Sequence, residues 1–172
     1  MTILRRPATP ADVPALAALG RDSFVAKFGT LYRPDDLAGF LEETHSEAAV
    51  AAQLADPDRR YCLAEREGRL VGYCKLALTP SFPEHAQGQR PIELKQLYTA
   101  PEATGGGIGG VLMEWAIATA REHDADEIQL SVWSRNFSGQ RFYARYGFTK
   151  VADVFFKVGK QLDEEFLFSL TL

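Results

Sequence analysis

The chain has 172 residues, 46% of them hydrophobic and 24% charged, with a net charge of −4; this is the composition of one soluble globular domain with room for a real core. The acidic balance argues against a general nucleic-acid binder, which would carry a basic face, and no apolar run approaches the ~20 residues that cross a bilayer. Two cysteines, Cys62 and Cys74, make neither a disulfide framework nor a metal set, and the opening Met-Thr-Ile-Leu-Arg-Arg lacks a signal-peptide core, so a cytoplasmic protein with no nucleic-acid or membrane partner is expected.

Ile3 to Arg6 reads as a first strand. Thr9-Pro10-Ala11-Asp12 then supplies an N-cap residue, a proline at the first helical position and an acid in the first turn. Val13, Leu16, Leu19, Phe24, Val25 and Phe28 follow at helical spacing, which predicts a helix over about 10–28 with Gly29 as its stop. Pro34-Asp35-Asp36 opens a second helix through Leu37, Phe40 and Leu41. Ser46 caps a third, which runs toward Leu54 and ends at Asp56-Pro57-Asp58.

After Arg59 the period changes. Tyr61 to Glu67, Gly68 and Leu70 to Leu78 read as strand, turn and strand, a hairpin. Thr79 to Pro91 is a proline-bearing loop. Ile92 to Thr99 is a strand, and a helix follows a glycine cluster over about Ile108–Glu122. Ile128, Leu130 and Val132 alternate as a strand; Phe137 to Tyr146 is a short helix ended by Gly147; Phe148 to Val158 is a strand; Phe166, Phe168 and Leu170 mark a last one. The order β-α-α-α-β-β-β-α-β-α-β-β predicts a single α/β (α+β) domain with a mixed, mostly antiparallel central sheet and helices on both faces.

The glycine cluster is the strongest local signal. Gly105, Gly106, Gly107, Gly109 and Gly110 lie between a strand and a helix. They leave bare backbone N–H groups at the positive end of the macrodipole, which favours an anion such as a pyrophosphate. The same letters satisfy a dinucleotide-binding G-x-G-x-x-G, but no acid ends the next strand to hold a ribose: Asp124, Asp126 and Glu127 precede it and Trp133 closes it. A Walker loop is excluded because no Gly-Lys-Ser/Thr follows. A plain tight turn stays open.

Downstream, Val132-Trp133-Ser134-Arg135-Asn136-Phe137-Ser138-Gly139-Gln140-Arg141-Phe142-Tyr143-Ala144-Arg145-Tyr146-Gly147-Phe148 brings an Asn, a Phe-Tyr pair seven residues into a helix, and a Gly-Phe. With Glu-Leu-Lys-Gln-Leu-Tyr-Thr-Ala-Pro and Gly-Ile-Gly upstream, residues 92–150 resemble the GNAT superfamily of acyl-CoA-dependent N-acetyltransferases. The region from Ser23 to Leu41 and the tail after Phe155 are more loosely similar to the bacterial branch that includes polyamine N-acetyltransferases. The resemblance implies acetyl-CoA as acyl donor, with its pyrophosphate on the N–H groups of Gly105, Gly107, Ile108, Gly109 and Gly110. Thr104 stands where the family places Arg or Gln, so a charge-assisted phosphate bond is lost there.

The resemblance further implies that the strand before the glycines is bulged and splayed, and offers Leu97, Tyr98 and Thr99 to the pantetheine arm. An N–H of Leu97 or Tyr98 would meet the oxyanion. Asn136 matches a position that contacts the coenzyme arm, and could equally cap its helix. Tyr143 matches the general acid that protonates the departing thiolate; a phenol, with an ordinary pKa near ~10, is still protonated at neutral pH. Glu93 is the leading base, usually through water, and could equally be a solvated or paired strand residue. Asp35, Asp36, Glu42 and Glu43 are further carboxylates that could steer a cationic amine.

Cys62 and Cys74 read as core residues, and His45, His85 and His123 lack metal-ligand spacing, so no metal is expected. Arg135, Arg141 and Arg145 could approach an adenosine phosphate or be exposed helix charges. The expected reaction is direct transfer of acetyl to a primary amine in a ternary complex, with a polyamine or other small amine as acceptor. Protein N-terminal or lysyl amines, amino-sugar drugs and a non-catalytic acyl-CoA sensor are the alternatives, with a nicotinamide enzyme further off. Many members of the superfamily pair as homodimers.

Overall fold

A computed structural model describes residues 2–172. The predicted elements occur in the predicted order: β1 (Ile3–Arg6), α1 (Val13–Phe28), α2 (Pro34–His45), α3 (Glu47–Ala55), β2 (Arg59–Arg66), β3 (Arg69–Ala77), β4 (Pro91–Thr99), α4 (Ile108–Glu122), β5 (Glu127–Trp133), α5 (Phe137–Arg145), β6 (Thr149–Val158) and β7 (Gln161–Thr171). They build one seven-stranded sheet in the order β1-β2-β3-β4-β5-β7-β6. Every neighbouring pair is antiparallel except β4–β5. Among the described residues no helix is long and apolar enough to cross a membrane.

Local signals account for most boundaries. Thr9 and Asp12 form a capping box around a 3-10 turn at Pro10–Asp12, so α1 proper begins three residues later than the periodicity suggests. Ser46 caps α3 by accepting from Ala49 N–H at 3.1 Å. Gly29 does not stop α1 in a left-handed turn. It keeps a right-handed φ of −57°, and the chain tightens into a 3-10 turn over Gly29–Leu31. The last strand is longer than its apolar alternation indicates, because its first half carries Gln161, Asp163, Glu164 and Glu165 and pairs with β6 around a turn at Gly159 and Lys160.

α1 packs on β3 and β4, α3 on β2 and α2 on β6, while α4 covers the other side of the sheet. Side-chain alternation on β3 makes the division plain. A Cβ on Gly72 would lie 2.7 Å from Ile108 of α4, whereas the Tyr73 hydroxyl reaches toward Gly20 of α1. Leu63, Leu76, Leu112, Met113, Ile128 and Leu130 are fully buried in one continuous core. Phe24, Phe40, Leu41 and Val158 form a second, smaller cluster under α2.

Two irregularities interrupt the sheet at its centre. The β3–β4 register runs Lys75↔Gln96 and then Leu76↔Leu94, leaving Lys95 as the extra residue of a bulge. The β4–β5 pairing covers Pro91↔Glu127, Ile92↔Ile128 and Glu93↔Gln129 and goes no further, so the two strands part beyond Glu93.

Candidate active site

The parting of β4 from β5 leaves backbone groups of β4 without ladder partners, and nearby residues recover part of them. Ser23 of α1 donates its hydroxyl to the Thr99 carbonyl at 3.0 Å. Ala100 N–H donates to the Val71 carbonyl at 2.8 Å, which pins the end of β4 to β3. A 3-10 turn over Pro101–Ala103 then feeds the glycine cluster, with the Thr104 hydroxyl donating to the Pro101 carbonyl at 3.3 Å.

Gly105 and Gly107 adopt φ values of +81° and +79°, and a Cβ on either would meet nothing within 4 Å. They are glycine for backbone shape. Gly107 is the N-cap of α4 and no side chain caps the helix; the first backbone bond is Val111 N–H to Gly107 carbonyl, which leaves the N–H groups of Ile108, Gly109 and Gly110 as orphan donors. Gly109 and Gly110 are small for a second reason, since Cβ atoms there would lie 3.3 Å from the Phe142 ring of α5 and 3.1 Å from the hydroxyl of Tyr146, which follows it. Arg66 of β2 donates to the Gly106 carbonyl at 3.3 Å and so holds the peptide that leads into Gly107.

These groups line one cleft of about 730 Å³. From β4 it takes Leu97, Tyr98 and Thr99; from the turn Thr104, Gly105, Gly107, Ile108, Gly109 and Gly110; and from α5 and its cap Asn136 and Tyr143. Asn136 accepts from Gly139 N–H at 3.0 Å, so it caps α5 while it faces the cleft. Tyr143 packs edge-on against Phe142 and Phe148, and burial raises its phenol above the ordinary value, so it stays protonated. Arg145 lines the same cleft, and Arg135 and Arg141 do not. Sequence reading missed the α1 wall of Ser23, Lys27 and Phe28. Their helical spacing signals a buried face but not what that face meets.

Glu93 is not among the cleft residues. It is 5% exposed, accepts from Ser81 N–H at 2.6 Å and pairs with Lys95 at 3.1 Å. Both carboxylate oxygens are therefore occupied in fixing the loop after β3. Asp36 accepts from Lys160 N–H at the β6–β7 turn, and Asp35, Glu42 and Glu43 are exposed on α2. Cys62 and Cys74 face each other across β2 and β3 as free thiols. Burial pushes Cys62 up to about 11 and Cys74 well above its ordinary value. His45 is buried, and desolvation with the nearby charges of Lys75 and Arg21 lowers it to about 4. No group of His, Cys, Asp or Glu among the described residues is arranged to hold a metal ion.

The α1-covered face beyond the parting point is acidic. Glu165 of β7 lies opposite Trp133 of β5, and Trp133 meets Phe28 of α1 edge-on at 6.0 Å. Asp163, two residues earlier on the same face, accepts a hydrogen bond from the Tyr32 hydroxyl. Burial raises the Glu165 carboxyl to about 7; a hydrogen bond from Ser131 opposes the shift, Asp163 and Glu93 add to it, and Lys95 lowers it. Nothing in the sequence signals Glu165, which closes a run of three acids that reads as a solvated hairpin arm.

Comparison with known proteins agrees with this geometry. The acetyltransferase (GNAT) family model matches residues 25–148. An uncharacterised N-acetyltransferase of Mycobacterium tuberculosis is 31% identical over 91% of this chain and 95% of its own length. The aminoalkylphosphonate N-acetyltransferase of Salmonella typhimurium is 35% identical over 57% of this chain and 62% of its own. Among solved structures, the PaiA N-acetyltransferase of Thermoplasma acidophilum in complex with coenzyme A aligns over 100% of both chains at 21% identity, with a TM-score of 0.81.

Proposed function

Because the chain belongs to the GNAT family and is an acetyl-CoA-dependent N-acetyltransferase, we propose that it moves the acetyl group directly onto the nitrogen of a small cationic amine in a ternary complex, with a diamine or polyamine as the favoured acceptor. One observation carries the reading: a single cleft joins the orphan N–H groups of α4, the freed backbone of β4 and the phenol of Tyr143.

The donor fits the residues present. Space is open above Gly105 and Gly107, where even a methyl group would touch nothing. The N–H groups of Ile108, Gly109 and Gly110 offer three donors at the positive end of α4 to a pyrophosphate. Bound there, acetyl-CoA supplies an activated acyl group whose sulfur can leave as a thiolate. In this reading Leu97 or Tyr98 donates its N–H to the oxygen on which charge develops. Asn136 and Thr99 contact the pantetheine arm, and Tyr143 gives a proton to the departing sulfur. Direct transfer is favoured over an acyl-enzyme because the two cysteines are buried, poorly ionised and outside the cleft. Carboxylates on the α1-covered side, Asp163 and Glu165 among them, favour a cation there.

The test is acetyl-CoA consumption against a panel of diamines, polyamines, aminoalkylphosphonates, amino sugars and peptides with free N-terminal or lysyl amines, following free thiol. Amine-dependent thiol release, fastest with a diamine or polyamine, is expected. Acetyl-CoA binding with no release for any amine would favour a non-catalytic sensor and refute the reading.

A further inference from the structure

The wedge that opens beyond Glu93 has two walls. On one, α5 brings Tyr143 from the side of the sheet where α4 lies, since Phe142 and Tyr146 abut Gly109 and Gly110. On the other, just outside the residues that line the cleft, β7 carries Glu165 on the face that α1 covers, in register with Trp133, whose ring meets Phe28 of the cleft. We propose that Glu165 is the general base of the reaction, taking the proton of the acceptor ammonium across the gap from Tyr143. The inference rests on the acetyltransferase reading above and adds the residue that activates its acceptor.

Three features single this carboxylate out. First, its register partner Trp133 packs on Phe28, which lines the cleft, and its charge is felt at Tyr143 and Tyr98, the phenols on the donor side. Second, among the described residues no cation pairs with it and its one side-chain bond is from the Ser131 hydroxyl, whereas Glu93 is held by both Ser81 and Lys95. Third, the same face carries unmet polar capacity at the point where the strands part. Gln129, on the same face two residues before Ser131, is fully buried, and neither its amide nitrogen nor its oxygen has a partner. Burial, Ser131 on β5, Asp163 on β7 and Glu93 and Lys95 on β4 set its charge, and that charge in turn raises the phenols of Tyr98 on β4, Tyr143 on α5 and Tyr32 after α1. Burial leaves its carboxyl near neutrality, where a base accepts a proton from an ammonium with the least mismatch.

The protons balance. The ammonium gives one proton to Glu165, directly or through one water, and the freed nitrogen pair forms the bond to the thioester carbon. As the carbon–sulfur bond breaks, its pair leaves with sulfur, which takes a proton from Tyr143. The nitrogen surrenders its second proton, which refills Tyr143, and Glu165 releases the first to solvent. The products are an acetamide, a thiol and one proton.

The experiment measures kcat, KM for the amine and acetyl-CoA affinity from pH 5.5 to 9.5 for wild type, E165Q and E165D, with the most active amine of the panel. Wild-type kcat/KM should climb through an apparent pKa near ~7, and E165Q should lose roughly 10²-fold or more in kcat at pH 7 together with that acidic limb. Acetyl-CoA affinity should stay within about twofold, and activity should partly return at high pH as the free amine grows abundant. E165D should retain a limb, displaced to lower pH. Turnover of E165Q within about threefold of wild type with the limb intact, or a limb unmoved in E165D, would overturn the assignment; should E165Q not fold, E165D alone decides. A wild type that binds acetyl-CoA and acetylates no amine would instead refute the function itself, so the two failures are distinguishable.

Discussion

Replacing Gly107 by alanine separates two reasons for a glycine, backbone shape and ligand contact. Gly107 has φ of +79° and Gly68, in the β2–β3 turn after Glu67, has φ of +72°; a methyl group on either meets nothing within 4 Å. Holding an L-residue in the left-handed region costs about 1–2 kcal/mol. For a chain of this size that lowers the melting temperature by about 2–8 °C, and both variants should lose similar amounts. Only Gly107 lines the cleft. There the methyl would stand where a pyrophosphate must touch backbone, and one charge-assisted N–H bond is worth about 1.5–3 kcal/mol. Acetyl-CoA should therefore bind Gly107→Ala about 10- to 150-fold more weakly, with Gly68→Ala unchanged. Calorimetric titration with acetyl-CoA, beside a thermal melt of each variant, reads both quantities. If Gly107→Ala binds within twofold of Gly68→Ala, the glycine turn is not the pyrophosphate cradle.

Three other outcomes depend on residues of the cleft and the core. Tyr143→Phe should cut kcat roughly 10²-fold or more while acetyl-CoA affinity holds, measured by steady-state thiol release and titration; unchanged turnover would remove the phenol from the mechanism. Thr104→Arg restores a cation beside the turn at the cost of one weak bond to the Pro101 carbonyl, and should tighten acetyl-CoA about tenfold, ~1.4 kcal/mol, with no gain refuting the idea. Lys75 is buried against Gln53, and burial lowers it from 10.5 to about 7. Between those values the unfolded chain holds a proton that the folded chain has released, so stability rises with pH from about 7 to about 10 and falls as pH drops back through that window. Lys75→Met should flatten the rise and melt higher than wild type at pH 6; parallel melting curves across pH 6–9.5 would contradict the effect of burial.

Much of the fold, and the grouping of the glycine turn with Asn136 and Tyr143 in one cleft, are legible in the chain. Hydrophobic period and caps give the element order, and Gly105 to Gly110 with Asn136 to Phe148 give the cleft. The legible signals are local, a turn, a cap or a short helix, in which a few neighbouring residues carry the constraint. What stays hidden depends on registration between distant segments. The bulge at Lys95 comes from how β4 pairs with Lys75 and Leu76 of β3, and Lys95 itself alternates like any strand residue. Glu93 reads as free in the sequence, yet the loop at Ser81 folds back over it. Glu165 sits among Asp163, Glu164 and Phe166, a polar pattern that hides a strand paired on both sides with β5 and β6.

The short β4–β5 pairing ties these features together. A parallel pair that stops after Glu93 exposes backbone that a normal sheet would satisfy. Ser23 recovers the carbonyl of Thr99, while on the other edge Ala100 stays bonded to Val71 of β3. The remaining β4 groups face the cleft, where an extended polar arm can complete the ladder as an added strand would. In the proposed mechanism the same break sets proton donor and proton acceptor apart. Tyr143 enters from the α4 side, where its burial keeps the phenol protonated. Glu165 enters from the α1 side, where burial, with Asp163 and Glu93 adding to it, raises its carboxyl to about 7 and those acids favour a cation. Placed on opposite walls, each meets a different substrate, and the reacting nitrogen and sulfur need meet only in the gap between the strands.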